Sequence, residues 1–186
     1  MPVKTNINKT MNEIVKKNGV NFGVIMGVIS IIAYTIMYAL DITLFVNIWV
    51  GITLFLINIV IGIVAVAKAK KGLLGFISFK DAFTVFFITM AIGSLMGALY
   101  MLVLFNFIDP AAKATITESA IEMTVKFMQQ AGSKTADIAK TVKDMRETDN
   151  FAPLSMIKSY FGGLLMYTII GLIVAAAMKK NNEVFN

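Results

Sequence analysis

At 186 residues, 58% hydrophobic and only 15% charged, with a mean hydropathy of +0.77, the chain has too few charges to solvate the outside of a water-soluble globule, which carries about 25%. The absence of cysteine and histidine excludes disulfides, thiol chemistry and the usual ligands of zinc, haem, iron–sulfur clusters and copper, so no cofactor and no metal are expected. The single arginine, Arg146, cannot form a cluster for bidentate phosphate recognition, so the formal charge of +6 rests on lysines, which lie at the borders of apolar windows.

The chain opens on a stripe of Ile7, Met11, Ile14 and Val15 with Lys9, Lys16 and Lys17 around it, which predicts a cytoplasmic interfacial helix over residues 1–17. A nucleic-acid patch would need denser basic charge and aromatic platforms, so no nucleic-acid partner is expected. Uncharged windows follow at 18–40, 42–67, 82–108 and 159–178. At about 1.5 Å of rise per residue, even the shortest reaches roughly the 30 Å of a bilayer's hydrocarbon core. The pattern is that of an all-α integral membrane protein with four transmembrane helices: three within 18–108 and a fourth within 154–180, followed by a cytoplasmic tail at 181–186. The first window is longer than a signal-peptide core and ends without a small-x-small cleavage site, so it is expected to stay as an anchored helix.

Lysine placement sets the expected orientation. Lys4, Lys9, Lys16 and Lys17 precede the first window, Lys68, Lys70, Lys71 and Lys80 separate the second from the third, and Lys179 and Lys180 follow the fourth, which puts both termini in the cytoplasm. Residues 109–153, with six cations against seven acids, are then extracytoplasmic. Asp109 before Pro110 reads as an N-cap, and Ile116, Ala120, Met123 and Phe127 recur at helical spacing. Gly132 and Ser133 read as a stop and a fresh cap, and Ile138, Val142 and Met145 repeat before Pro153, so an amphipathic helical hairpin is expected. It either lies on the membrane or docks another protein.

Inside the windows, small residues recur every fourth position: Gly19, Gly23 and Gly27; Gly93 and Gly97; Ser159, Gly163, Tyr167, Gly171 and Ala175. Such faces let helix backbones approach closely. The second window places Asn47, Gly51, Asn58, Gly62 and Ala65 on one stripe, where the two amides are expected to act as interhelical glue, with a solute pathway as the alternative. No acid or base lies inside a window, which weighs against a coupled pump, and Ser30, Ser94 and the tyrosines have no base beside them to make a nucleophile. The turn after the second window has its own logic: Gly72 and Gly75 let the chain leave a helix, Phe76, Ile77 and Phe79 can sit in the interface, and Ser78 with Asp81 forms a capping box. Lys68, Lys70, Lys71 and Lys80 are candidates for a lipid-headgroup or partner contact there.

The stretch Lys70-Lys71-Gly72-Leu73-Leu74-Gly75-Phe76-Ile77-Ser78-Phe79-Lys80-Asp81-Ala82-Phe83, the exit Phe107-Ile108-Asp109-Pro110 and the close Ile173-Val174-Ala175-Ala176-Ala177-Met178-Lys179-Lys180, in that order behind a basic tail, resemble the bacterial family called domain of unknown function 4199. The resemblance implies a four-span protein of the bacterial cytoplasmic (inner) membrane with a charged outer helical segment, and no functional residues to carry over. The expectation is therefore a non-catalytic scaffold or accessory subunit of a membrane complex, whose partners are membrane lipids and another membrane protein or a second copy of itself. The alternative is a small passive channel or carrier for a neutral or lipid-like solute.

Overall fold

The computed structural model describes residues 2–180, with side chains from Thr10 onward; the tail at 181–186 and the side chains of Lys4, Ile7 and Lys9 lie outside the described residues. Six α-helices follow in order: α1 (Pro2–Leu40), α2 (Ile48–Gly72), α3 (Phe79–Val103), α4 (Ala112–Gln130), α5 (Thr135–Glu147) and α6 (Pro153–Met178). A 3-10 turn at Ile42–Val46 joins α1 to α2, and a π turn at Leu104–Ile108 extends α3. Four segments, Thr10–Leu40, Ile48–Gly72, Phe79–Ile108 and Pro153–Met178, are long and apolar enough to cross a membrane, and the chain is a multi-pass membrane protein. The bundle has two ends, one carrying the first turns of α1, the α2–α3 turn and the end of α6, the other carrying the 3-10 turn and the α4–α5 hairpin.

Helix α3 is the centre. It runs parallel to α1, and glycines on each helix receive side chains from the other. A Cβ on Gly19 would sit 2.9 Å from Ile88, one on Gly23 2.8 Å from Ile92, and one on Gly93 2.6 Å from Met26, while Gly27 faces Met96. Gly97 lies under Tyr34. Thr89, fully buried in this seam, donates to Val85 O at 2.9 Å and reaches Gly19 O at 3.3 Å, so its hydroxyl is satisfied where lipid could not serve it. On the opposite flank, Phe86 of α3 is fully buried between two glycines, Gly62 of α2 and Gly171 of α6. Dispersion across such close approaches replaces the hydrophobic drive that lipid removes.

Several boundaries differ from expectation. The expected N-terminal helix is not separate from the first span: α1 is continuous from Pro2, and Val15 is buried in the cluster that also holds Leu73, Ile77 and Ala82, with Ile14 packed against that cluster. The second span starts at Ile48 rather than 42. Asp41 accepts from the Thr43 amide and hydroxyl, and Asn47 accepts from the Trp49 and Val50 amides, so two side-chain caps divert the chain into the 3-10 turn between them. The fourth span begins at Pro153, one residue before the expected 154, where the ring is pre-organised for a first helical position.

At the α2–α3 turn, Ser78 caps Asp81 N–H at 3.0 Å, and the Asp81 carboxylate takes the Ser78 hydroxyl proton at 2.7 Å, a variant of the expected box. Gly75 takes the left-handed backbone at φ 88, as expected, and Leu74 just before it does so too, at φ 59 and 89% exposed, with Gly75 N–H reaching Lys70 O and Leu74 N–H reaching Lys71 O, while Gly72 stays the last residue of α2. Ile77 is buried instead of interfacial and pairs through both backbone groups with Lys180. The hairpin forms as expected, with Gly132 at φ 74 ending α4, but Ser133 does not cap α5. Asp109 accepts from Ala112 N–H at 3.1 Å although the helix starts three residues later than Asp109 itself. The buried face of α4 carries Ala112, Ile116 and Ile121, leaving Met123 and Phe127 exposed, because α4 packs along the 3-10 turn as well as α5.

Candidate functional site

Helical spacing brings Ser30 and Tyr34 of α1, Asn58 of α2, Ser94 of α3, and Ser159, Tyr160 and Tyr167 of α6 to the walls of one cavity in the half of the bundle nearest the hairpin. Its volume is about 320 Å³, at the lower end of the roughly 300–1,000 Å³ of small-molecule pockets. Met26, Met101, Met156 and Phe151 supply apolar wall, and no charged side chain lines it. Ser94 donates to Met90 O at 2.6 Å and Tyr160 to Ala91 O at 3.1 Å, which leaves their oxygens as acceptors. Asn58 and Tyr167 both line the cavity. Ser30 is different: the residue is 7% exposed, and its hydroxyl, which no side chain or carbonyl among the described residues engages, is not itself sealed from solvent. A serine in a helix ordinarily returns its proton to the carbonyl four residues back; this one faces the cavity.

The cavity's hairpin-side border is a tied knot of polar groups. The π turn aims Asn106 outward, where its amide donates to Phe151 O at 2.9 Å and accepts from Lys113 Nζ at 2.8 Å. Lys113 also meets Asp149 at 3.3 Å, and Asp149 accepts from Phe151 N–H at 2.8 Å. The Phe151 ring packs 4.8 Å from that of Phe105. Tyr38 donates to Asp109 at 3.0 Å, fastening the end of α1 to the start of α4. A second depression, between α4 and α5, is lined by Lys113, Glu118, Arg146, Glu147 and Asp149, and both of its cations are already paired, Arg146 with Glu118 at 2.6 Å and Lys113 with Asp149 at 3.3 Å.

The residues singled out from sequence divide. Gly23, Gly27, Gly93, Gly97 and Gly171 stand at helix crossings, whereas Gly163 meets no atom within 4 Å and packs nothing within the chain. Asn58 lies in the cavity wall. Asn47 does not join it: it is exposed at the head of α2, spent on capping that helix. Lys70 donates to Met178 O at 2.8 Å and so caps the end of α6, while Lys68, Lys71 and Lys80 are exposed at the terminus end. Ser30, Tyr34, Ser94 and Tyr167 carry no catalytic signal in the sequence for want of a base to activate them; what marks them as cavity wall is polar residues at helical spacing in the same halves of three spans.

No curated protein and no solved structure matches the chain. Residues 21–180, which include all of the cavity and both of its borders, match the family described as Protein of unknown function (DUF4199), and the chain belongs to that family.

Proposed function

We propose that this is a non-catalytic protein of the bacterial cytoplasmic membrane that binds an uncharged, hydrogen-bonding small molecule in the cavity, as a passive carrier or as the ligand-binding subunit of a membrane complex. The observation that carries the reading is the cavity itself, about 320 Å³ and lined by the hydroxyls of Ser30, Ser94 and Tyr160 and the Asn58 amide with no charged side chain among them. The uncharged wall selects against ions, and the hydroxyls have no general base within the cavity to make them nucleophiles. Lys16, Lys17, Lys68, Lys71, Lys80 and Lys179 sit at the terminus end, so the positive-inside rule turns the cavity half outward.

The test is equilibrium binding of radiolabelled glycerol and 1-monooleoylglycerol to the full chain in nanodiscs. At least one should bind saturably, and the Ser30→Ala, Asn58→Leu double variant should weaken it roughly tenfold, the worth of one or two neutral hydrogen bonds, without lowering the melting temperature much. Absence of saturable binding of both probes contradicts the reading. A second reading, an accessory subunit held by helix packing, is favoured by Gly162 and Gly163, which meet nothing within 4 Å on an otherwise lipid-exposed helix.

A further inference from the structure

At the end of the bundle that carries the α2–α3 turn, the lysines have almost no acid to meet. Asp81 is occupied by the Ser78 hydroxyl, and Glu13 forms no ion pair among the described residues. Two of the lysines are brought together by a helix contact. A Cβ on Gly72, the last residue of α2, would stand 3.2 Å from Ile14 of α1, so the two helices touch there. From that contact both enter the apolar part of the bundle, α1 forward and α2 backward. Lys17 follows Ile14 by three residues and Lys68 precedes Gly72 by four, and each spacing keeps to one helix face. At about 1.5 Å per residue, Lys17 and Lys68 therefore stand level, roughly 5 Å below the contact, one on each lip of the α1–α2 crevice. Both are exposed, and neither has an ion pair or hydrogen bond among the described residues. Deeper along the same faces the chemistry changes in order. Asn21, four residues on from Lys17, is exposed, and its amide bonds to nothing among the described residues. Ile25 below it on α1, and Val64 and Ile57 below Lys68 on α2, are exposed and apolar.

We propose that the α1–α2 crevice binds an anionic glycerophospholipid of the leaflet at that end, with the phosphate between Lys17 and Lys68, an ester carbonyl on the Asn21 amide and an acyl chain over Ile25, Val64 and Ile57. The site is independent of the cavity, which lies in the other half of the bundle. Cation, uncharged donor and hydrocarbon surface follow one another at the depths where such a lipid presents phosphate, ester and chain. Two like charges at one level repel, and an anion between them turns that repulsion into attraction. A zwitterionic lipid brings its own ammonium group and gains less. An amide that faces hydrocarbon without a partner is costly, and an ester carbonyl accepts its proton. The general preference for lysine at one membrane border accounts for neither the shared level of Lys17 and Lys68 across one crevice nor the amide beneath them.

The experiment is native mass spectrometry of the full chain in a neutral detergent, titrated with dioleoylphosphatidylglycerol or dioleoylphosphatidylcholine. The first should bind about thirtyfold more tightly, at roughly fivefold per lysine, and the Lys17→Gln, Lys68→Gln double variant should abolish the difference. Lys80→Gln, Lys179→Gln, which removes the same charge from the same end, should keep it. Asn21→Leu should weaken both lipids alike. All these variants should keep the wild-type melting temperature, since each replaced side chain is exposed. Glycerol 3-phosphate, which has the anion without the chains, should not compete. Equal affinity for the two lipids, equal loss in both double variants, unchanged binding by Asn21→Leu or competition by glycerol 3-phosphate overturns the site. Near-complete disulfide dimerisation of Lys17→Cys in native membranes, read without background in a chain free of cysteine, also overturns it by showing that a second copy fills the crevice.

Discussion

Leu74 holds a left-handed backbone conformation that glycine adopts freely and that costs a leucine about 1–2 kcal/mol, and its side chain, almost wholly exposed, wins nothing back from packing within the chain. Leu74→Gly should therefore raise stability by up to about 1 kcal/mol after glycine's greater unfolded-state entropy is subtracted, read as a higher melting temperature in detergent. An unchanged or lower value would mean that Leu74 is anchored in lipid. At the other end of α2, the Thr43 amide and then its hydroxyl hold the Asp41 carboxyl below its ordinary range. A carboxylate with a depressed folded-state pKa contributes stability above its unfolded value and loses it as pH falls through the folded one. Acidification below the ordinary carboxylate range should then destabilise the wild type more than Asp41→Asn, whose carbonyl still accepts; equal slopes would show that the cap carries no linkage. Asn47 shows how one residue type hides two roles, since its side-chain oxygen caps the start of a helix while Asn58, eleven residues on, stays inside one. Spacing alone puts both on a single stripe, and only the break made by Asp41 separates them.

At the scale of helices, the glycines differ by what faces them. Gly62→Leu should cost about 1–3 kcal/mol through overpacking against Phe86, and Gly23→Leu a similar amount against Ile92, whereas Gly163→Leu should be nearly silent. Thermal unfolding in detergent separates them, and equal losses at all three positions would contradict the assigned crossings. Lys113→Ala removes the bridge from α4 to the π turn and the 149–151 segment, so faster amide exchange is expected there with little change in the α1–α3 seam; uniform exchange would deny it a local role. The spans, their order, the Ser78–Asp81 box and the Gly132 stop were legible in the sequence because each rests on length, composition or a local cap. The continuity of α1, the π turn and the buried register of α4 were not. They depend on Val15 finding Leu73 and Ile77, and on α4 lying across the 3-10 turn, which are contacts between segments distant in sequence. The cavity was half legible. Asn58 stood out as an isolated amide, but Ser30 gains its meaning only when α1, α2, α3 and α6 surround it.

For the whole molecule, the proposed orientation puts the hairpin outside the cytoplasm. Ser133→Cys in intact spheroplasts should react with a membrane-impermeant thiol reagent and Gly72→Cys should not; the reverse pattern would invert the bundle and turn the cavity inward. The central claim is that a solvated, ligand-accessible space lies beside Ser30. Ser30→Cys should react with the small uncharged reagent N-ethylmaleimide in nanodiscs, while Ala65→Cys, at a fully buried position, stays inert, and saturating 1-monooleoylglycerol should protect Ser30→Cys from the reagent. A Ser30→Cys chain that is as inert as Ala65→Cys, or whose reaction the monoacylglycerol leaves untouched, would contradict the account.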